Sequence, residues 1–177
     1  VRYPPFPVTF SKSPAEKVSF SFTTVHFFTC EDETTGYIRS DFLALTSSAT
    51  SHTGIVSTAM THLGTRYKWG GAAPGGFDCS GFTMYVYGQH GYSLPHTASG
   101  QWQSGIGTKV YSIGELQPGD LVFFSNNGHS SGIFHVGIYI GNGEFVHAAN
   151  SRKGLIVTDM DDNWYARRYL GAKRAIG

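Results

Sequence analysis

Two apolar stretches, Phe134 to Ile140 and Phe145 to Ala149, are separated only by Gly141-Asn142-Gly143-Glu144. Runs this short around the turn-forming Gly-Asn-Gly predict an antiparallel β-hairpin, which excludes an all-helical chain. Each run carries one histidine, His135 and His147, and a polar ring inside an apolar strand needs a reason to be there. Strand residues alternate faces, so the loop decides whether the two rings meet. A two-residue Asn142-Gly143 turn separates them unless a bulge intervenes. A three-residue loop Gly141-Asn142-Gly143, with Gly143 left-handed in a bulge, sets His147 opposite Gly137 and diagonal to His135. The sequence Gly-Asn-Gly permits that second loop.

A second constraint lies upstream. Tyr67-Lys68-Trp69-Gly70-Gly71-Ala72-Ala73-Pro74-Gly75-Gly76 is a loop whose glycines permit close backbone approach, and Phe77-Asp78-Cys79-Ser80-Gly81 follows it. From Cys79 to about Gln89 the apolar residues Phe82, Met84, Tyr85 and Val86 fit a buried helix, capped by Asp78 and ended near Gly91. Cys79 then stands in the first turn, where the helix dipole and unpaired N–H groups favour thiolate, so a lowered thiol pKa is expected. The same N–H groups suit the oxyanion of an attacked acyl carbon. From position alone, a small buried packing residue is an equal reading of Cys79. The two strand histidines shift the balance: His135 as base and His147 as its orienter complete a nucleophilic site.

Around this core, residues 1–45 read as a small β unit, with Val18 to Phe28 rich in Val, Phe, Thr and Ser, and 46–53 reads as a Ser/Thr/Ala linker. Thr53 is the expected cap of a helix with Ile55, Val56, Ala59, Met60 and Leu63 on one face and Gly64 as its stop. Gln117-Pro118-Gly119-Asp120 is a turn before a buried strand, Leu121 to Phe124. The stretch holding Trp164, Tyr165 and Tyr169 reads as a closing strand or edge. A net charge of +1 over 177 residues gives no basic field for nucleic acid. No apolar run approaches the roughly 20 residues that span a bilayer, and Val1 to Pro7 lacks a signal segment, as in a trimmed or mature chain. Only Cys30 and Cys79 are present, so disulfides are no framework; Cys30, beside Glu31 and Asp32, is expected to be unreactive. His26, His52, His62, His90 and His129 show no ligand spacing and are expected at the surface.

Tyr67-Lys68-Trp69-Gly70-Gly71, Phe77-Asp78-Cys79-Ser80-Gly81-Phe82, Leu116-Gln117-Pro118-Gly119-Asp120-Leu121 and His135-Val136-Gly137-Ile138-Tyr139-Ile140 closely resemble NlpC/P60 peptidases, in the family's order. The resemblance, from roughly Ile55 onward, implies an α+β, papain-like fold over residues 54–177, with helices packed on an antiparallel sheet and Cys79, His135 and His147 as triad. It implies a cell-wall hydrolase, a thiol endopeptidase that cuts peptidoglycan stem peptides between D-γ-glutamyl and a diamino acid, meso-diaminopimelate or L-lysine. It further implies that Tyr67 aims its hydroxyl at the oxyanion or substrate and that Asp78 and Ser80 contact the peptide. Asp78 as a simple helix cap is an equal reading, and Tyr67 as a core aromatic with a satisfied hydroxyl is an alternative. His96 stands where the family usually has Arg, which puts a substrate carboxylate contact there in doubt. Gly36 to Leu43 resembles the last strand of a bacterial SH3-like unit. No metal or organic cofactor is implied, a monomer is expected, and the substrate implies a secreted or wall-associated place of action. A wall-binding module without activity, and a related Cys amidase or acyltransferase, are the alternatives.

Overall fold

A computed structural model describes residues 18–20, 23–29, 35–39 and 52–175. The chain divides into two compact units, Val1–Ser47 and Ser48–Gly177. In the first, β1 (Val18–Phe20), β2 (Thr23–Thr29) and β3 (Thr35–Arg39) form an antiparallel sheet in that order, with Val18 opposite Val25 and Phe27 opposite Tyr37. Cys30, residues 40–43 of the SH3-like stretch and most of the expected linker lie outside the described residues.

The second unit begins with α1, helical over 52–60, so His52 and Thr53 are inside the helix and Thr53 is not its cap. Ile55 and Ala59 are fully buried, whereas Met60 and Leu63 are more than a third exposed, so the apolar face is narrower than the spacing predicts. A short hairpin of β4 (Ala72–Ala73) and β5 (Gly76–Phe77) leads into α2 (Cys79–Gln89), followed by α3 (Ala98–Gln103). The remaining chain builds a six-stranded antiparallel sheet from β6 (Thr108–Val110), β7 (Leu121–Ser125), β8 (Ile133–Gly141), β9 (Glu144–Asn150), β10 (Gly154–Asp159) and β11 (Tyr169–Arg174). A single turn of helix, α4 (Asn163–Ala166), precedes the last strand. The strand order is β10-β9-β8-β7-β11-β6, so β11 is inserted between β7 and β6.

Strand alternation sorts the core onto the two faces of this sheet. Leu121, Phe123, Val136, Ile138, Val146 and Ala148 pack with Ile55, Phe82, Val86, Tyr87 and Trp102 from α1, α2 and α3. Val122, Phe124, Tyr139, Phe145 and Ala172 face the other way, with Tyr165 of α4 and Tyr169 against them. Trp164 and Tyr165 are thus helical and not part of an edge strand: Asp162 caps the turn by accepting from the N–H groups of Trp164 and Tyr165. The turn before β7 is tied from several sides. Asp120 is fully buried and takes a two-pronged bond from Arg174 at 3.0 and 2.8 Å, and Tyr87 donates to the Gly119 carbonyl. His52, expected at the surface, is buried and bonds the Pro118 carbonyl at 2.6 Å. His62 packs edge-on against Phe77 and Tyr85.

Candidate active site

One wall of the site is the start of α2. Cys79 is its first residue and Asp78 its N-cap, as the sequence predicts. The Asp78 carboxylate does more than cap. Its Oδ1 accepts from Gly81 N–H at 2.7 Å and Ser80 Oγ at 3.2 Å and faces His96 Nε2 at 3.2 Å, while Oδ2 accepts from Gly70 N–H at 2.8 Å. That last bond, with Asp78 N–H to the Gly71 carbonyl at 2.9 Å, ties the glycine-rich loop to the helix end. A Cβ at Gly81 would run into the Gly71 carbonyl, so glycine is required for the loop to lie this close. Phe82 N–H is taken by the Asp78 carbonyl, while the N–H groups of Cys79 and Ser80 are directed at the sulfur.

The N–H group of Val136 is also directed at the sulfur, so Cys79 lies against the first residues of β8, next to His135 in the chain. These three donors favour thiolate, yet burial and the Asp78 carboxylate outweigh them and push the thiol up from 9.0 to about 11. The expected lowering of the Cys79 pKa is therefore reversed. A helix start attracts negative charge, but here its cap already supplies one, and little water is left to solvate a second.

The other wall comes from the hairpin β8-β9. Its tip is a two-residue Asn142-Gly143 turn with both residues left-handed (φ 53° and 79°), and not the three-residue loop that the sequence also permits. Gly141 pairs with Glu144, then Tyr139 with Phe145, so Ile140 is the extra, bulged residue. The bulge lies in β8 at Ile140 and not at Gly143, and it has the same effect on phase. It brings His135 and His147 to one face, with Nε2 of His135 2.7 Å from Nδ1 of His147. Between them Gly137 leaves no room: a Cβ there would stand 2.7 Å from the Phe145 ring and 3.1 Å from the His147 Cβ.

Both rings sit in an aromatic box. Phe145 stacks on His147 at 4.6 Å, and Tyr165 meets His147 edge-on at 5.0 Å. Phe134 stacks on His135, and Phe124 lies 6.1 Å from it. Burial in these surroundings lowers His135 to about 4; burial first, then the His135 and Lys153 charges, lowers His147 to about 2. At neutral pH both imidazoles are uncharged.

Tyr67, Asp78, Cys79, Ser80 and His135 line one open cleft of about 630 Å³, and His147 lies behind His135 and outside the lining. Burial, followed by the Cys79 and Asp78 charges, raises the Tyr67 pKa. His96 also borders the cleft, paired to Asp78. Sequence reasoning missed Trp164, Tyr165 and Phe134 on the rim and Thr158 behind His147. The run Asp161-Asp162-Asn163 ahead of Trp164-Tyr165 is a helix-start signal that could have found the first pair. Among the described residues no cluster of His, Cys, Asp or Glu could hold a metal ion, and no helix is long and apolar enough to cross a membrane.

Residues 64–174 match the profile of the NlpC/P60 family. Over 97 residues, 55% of this chain, the sequence is 50% identical to the probable endopeptidase p60 of Listeria seeligeri. It is 41% identical over 120 residues, 68% of this chain, to the probable peptidoglycan endopeptidase LytE of Bacillus subtilis. The chain spans only 17% of the first protein and 33% of the second. Among solved structures, the NlpC/p60 domain of the peptidoglycan hydrolase SagA is 35% identical with a TM-score of 0.61, covering 70% of this chain and 97% of that one. A Bacillus cereus protein of the same family, 23% identical, covers 92% of this chain and 54% of its own with a TM-score of 0.66, a likeness of fold.

Proposed function

This chain belongs to the NlpC/P60 family, and from that premise we propose that it is a thiol endopeptidase acting on bacterial peptidoglycan stem peptides. The bond cut is the one between D-γ-glutamyl and the diamino acid, meso-diaminopimelate or L-lysine, and the place of action is secreted or associated with the cell wall. The observation that carries the reading is the 2.7 Å bond between His135 and His147 beside a cleft that also holds Cys79. A structural histidine pair has no need of a thiol and an open cleft next to it.

Cys79 Sγ attacks the scissile carbonyl carbon and its proton passes to Nδ1 of His135, the ring nitrogen not engaged by His147. Because the thiol starts protonated and the imidazole neutral, charge separates only as the attack begins. Nδ1 of His147 accepts the Nε2–H of His135 and steadies the imidazolium without itself taking the proton. The carbonyl oxygen gathers negative charge near the N–H groups at the helix start and the Tyr67 hydroxyl. His135 then gives its proton to the leaving amine nitrogen, the C–N bond breaks, and a thioester to Cys79 remains. Water, losing a proton to His135, attacks the thioester carbon; the proton returns to sulfur as the C–S bond breaks.

Two bonds of Asp78, to Gly81 and Gly70, serve the helix start and its loop, and its contacts with Ser80 and His96 face the cleft. Asp78 and Ser80 therefore act on both the scaffold and the peptide. The test is digestion of purified diaminopimelate- and lysine-type peptidoglycan by the protein and by Cys79→Ala, with fragments identified by mass. Cys79-dependent fragments ending at D-glutamate are expected. Stem peptides left intact from both walls would overturn the proposal in favour of a binding module or another acyl substrate.

A further inference from the structure

His147 does not stand alone at the end of the hydrogen-bonded series. Its second ring nitrogen, Nε2, lies 3.0 Å from the hydroxyl of Thr158 on β10. The placement follows from the sheet register. Ile156 pairs with His147, and Thr158, two residues on, points from the same face, so its hydroxyl reaches the ring diagonally. Three groups are thus in line: Thr158 Oγ1, the two nitrogens of His147, and Nε2 of His135, joined at 3.0 and 2.7 Å.

We propose that Thr158 is a positioning residue of this site, holding the far side of His147 so that its Nδ1 stays aimed at His135. The inference deepens the peptidase reading and rests on it. A neutral imidazole carries a single N–H, so the protons in the line are not independent. For His135 to accept the thiol proton at Nδ1, its own hydrogen must be on Nε2 and must be donated to a bare Nδ1 of His147. His147 then carries its hydrogen on Nε2, and that hydrogen needs an acceptor, which Thr158 Oγ1 supplies. The Tyr165 hydroxyl, 3.5 Å from the same Nδ1, adds a second, weaker donor to that lone pair. The fully buried His147 ring has an aromatic box to hold its plane, but an aromatic wall does not choose which nitrogen carries the hydrogen; a hydroxyl at a fixed place takes part in that choice.

The test is a double-mutant cycle on the whole chain, read by alkylation of Cys79 with iodoacetamide and by kcat and KM on stem peptide. Thr158→Val keeps the shape and removes the hydroxyl; it is expected to lower the alkylation rate and kcat about tenfold, with KM little changed. Thr158→Ser should restore most of the rate. In a His147→Ala background the same Thr158→Val change should cost nothing more, because the residue acts through His147. An equal loss in both backgrounds, or no loss in the wild-type background, overturns the proposal, and a parallel melting curve identifies a variant that has simply unfolded. Nitrogen-15 spectra of the histidines give a readout without substrate: His147 should carry its hydrogen on Nε2 in the parent chain and shift toward a tautomer mixture in Thr158→Val. Alkylation and spectra do not require peptidoglycan, so failure to digest it would count against the peptidase reading alone.

Discussion

The two walls of the cleft keep their reactive groups uncharged by opposite means. The helix wall is crowded with polar groups: one carboxylate, Asp78, meets two backbone N–H groups, a hydroxyl and a histidine. The sheet wall is a box of Phe and Tyr rings around two uncharged imidazoles. On the first wall a fixed negative charge, added to burial, keeps the thiol protonated; on the second, lack of solvation keeps the histidines bare. The site therefore stores a proton on sulfur and an unprotonated lone pair opposite, and neither wall could set that state alone.

Breaking the sheet wall should do the most damage. His135→Ala is expected to slow both peptide cleavage and alkylation of Cys79 at pH 7 by about 10²–10⁴-fold, the usual range for a lost general base; an unchanged alkylation rate would remove His135 from the role of base. Next in size is Gly137→Ala. Its Cβ would press on the Phe145 ring and stand 3.0 Å from the Val146 carbonyl, so a loss of about 1–3 kcal/mol in denaturant stability is expected, with reduced activity as His147 is displaced.

Acid should separate the walls by stability. An unfolded histidine titrates near 6.5, whereas His135 titrates at about 4 and His147 at about 2 in the fold. Between these values the unfolded chain binds more protons, so stability is full above about pH 6.5 and falls as pH drops toward 4. Melting temperature measured from pH 7 to 4 should fall, and should fall less in His147→Gln. The smallest effect is expected on the helix wall: Asp78→Asn keeps an acceptor for Gly81 but removes the charge, so the pH profile of Cys79 alkylation should move to lower pH. A profile that stays in place would leave burial as the whole cause.

Much of this arrangement was legible in the sequence because it depends on neighbours along the chain. The helix from Cys79 to Gln89, its Asp78 cap and the left-handed Gly91 after it follow from local signals, as does the histidine-bearing hairpin. What was not legible depends on contacts between distant segments. The extra residue of the hairpin is Ile140 in β8, and not Gly143 beyond the tip, because a two-residue Asn-Gly turn makes the tip. The thiol pKa was misjudged because local reasoning counts the helix dipole but not the burial of sulfur under β8. His52 was expected at the surface, since nothing near it in sequence announces the Pro118 carbonyl 66 residues away. Thr158 is one more strand threonine until β10 is laid beside β9.

The place of β11 in the sheet bears on timing. It is made after every other strand of the unit, yet it lies inside, bonded to β7 on one side and β6 on the other, and Arg174 within it closes the pair with Asp120. Until residues 169–174 have emerged from the ribosome, β6 has no strand beside it and the strand next to His135's own has a bare edge. A nascent chain would thus carry Cys79, His135 and His147 for some time without a finished sheet to hold them.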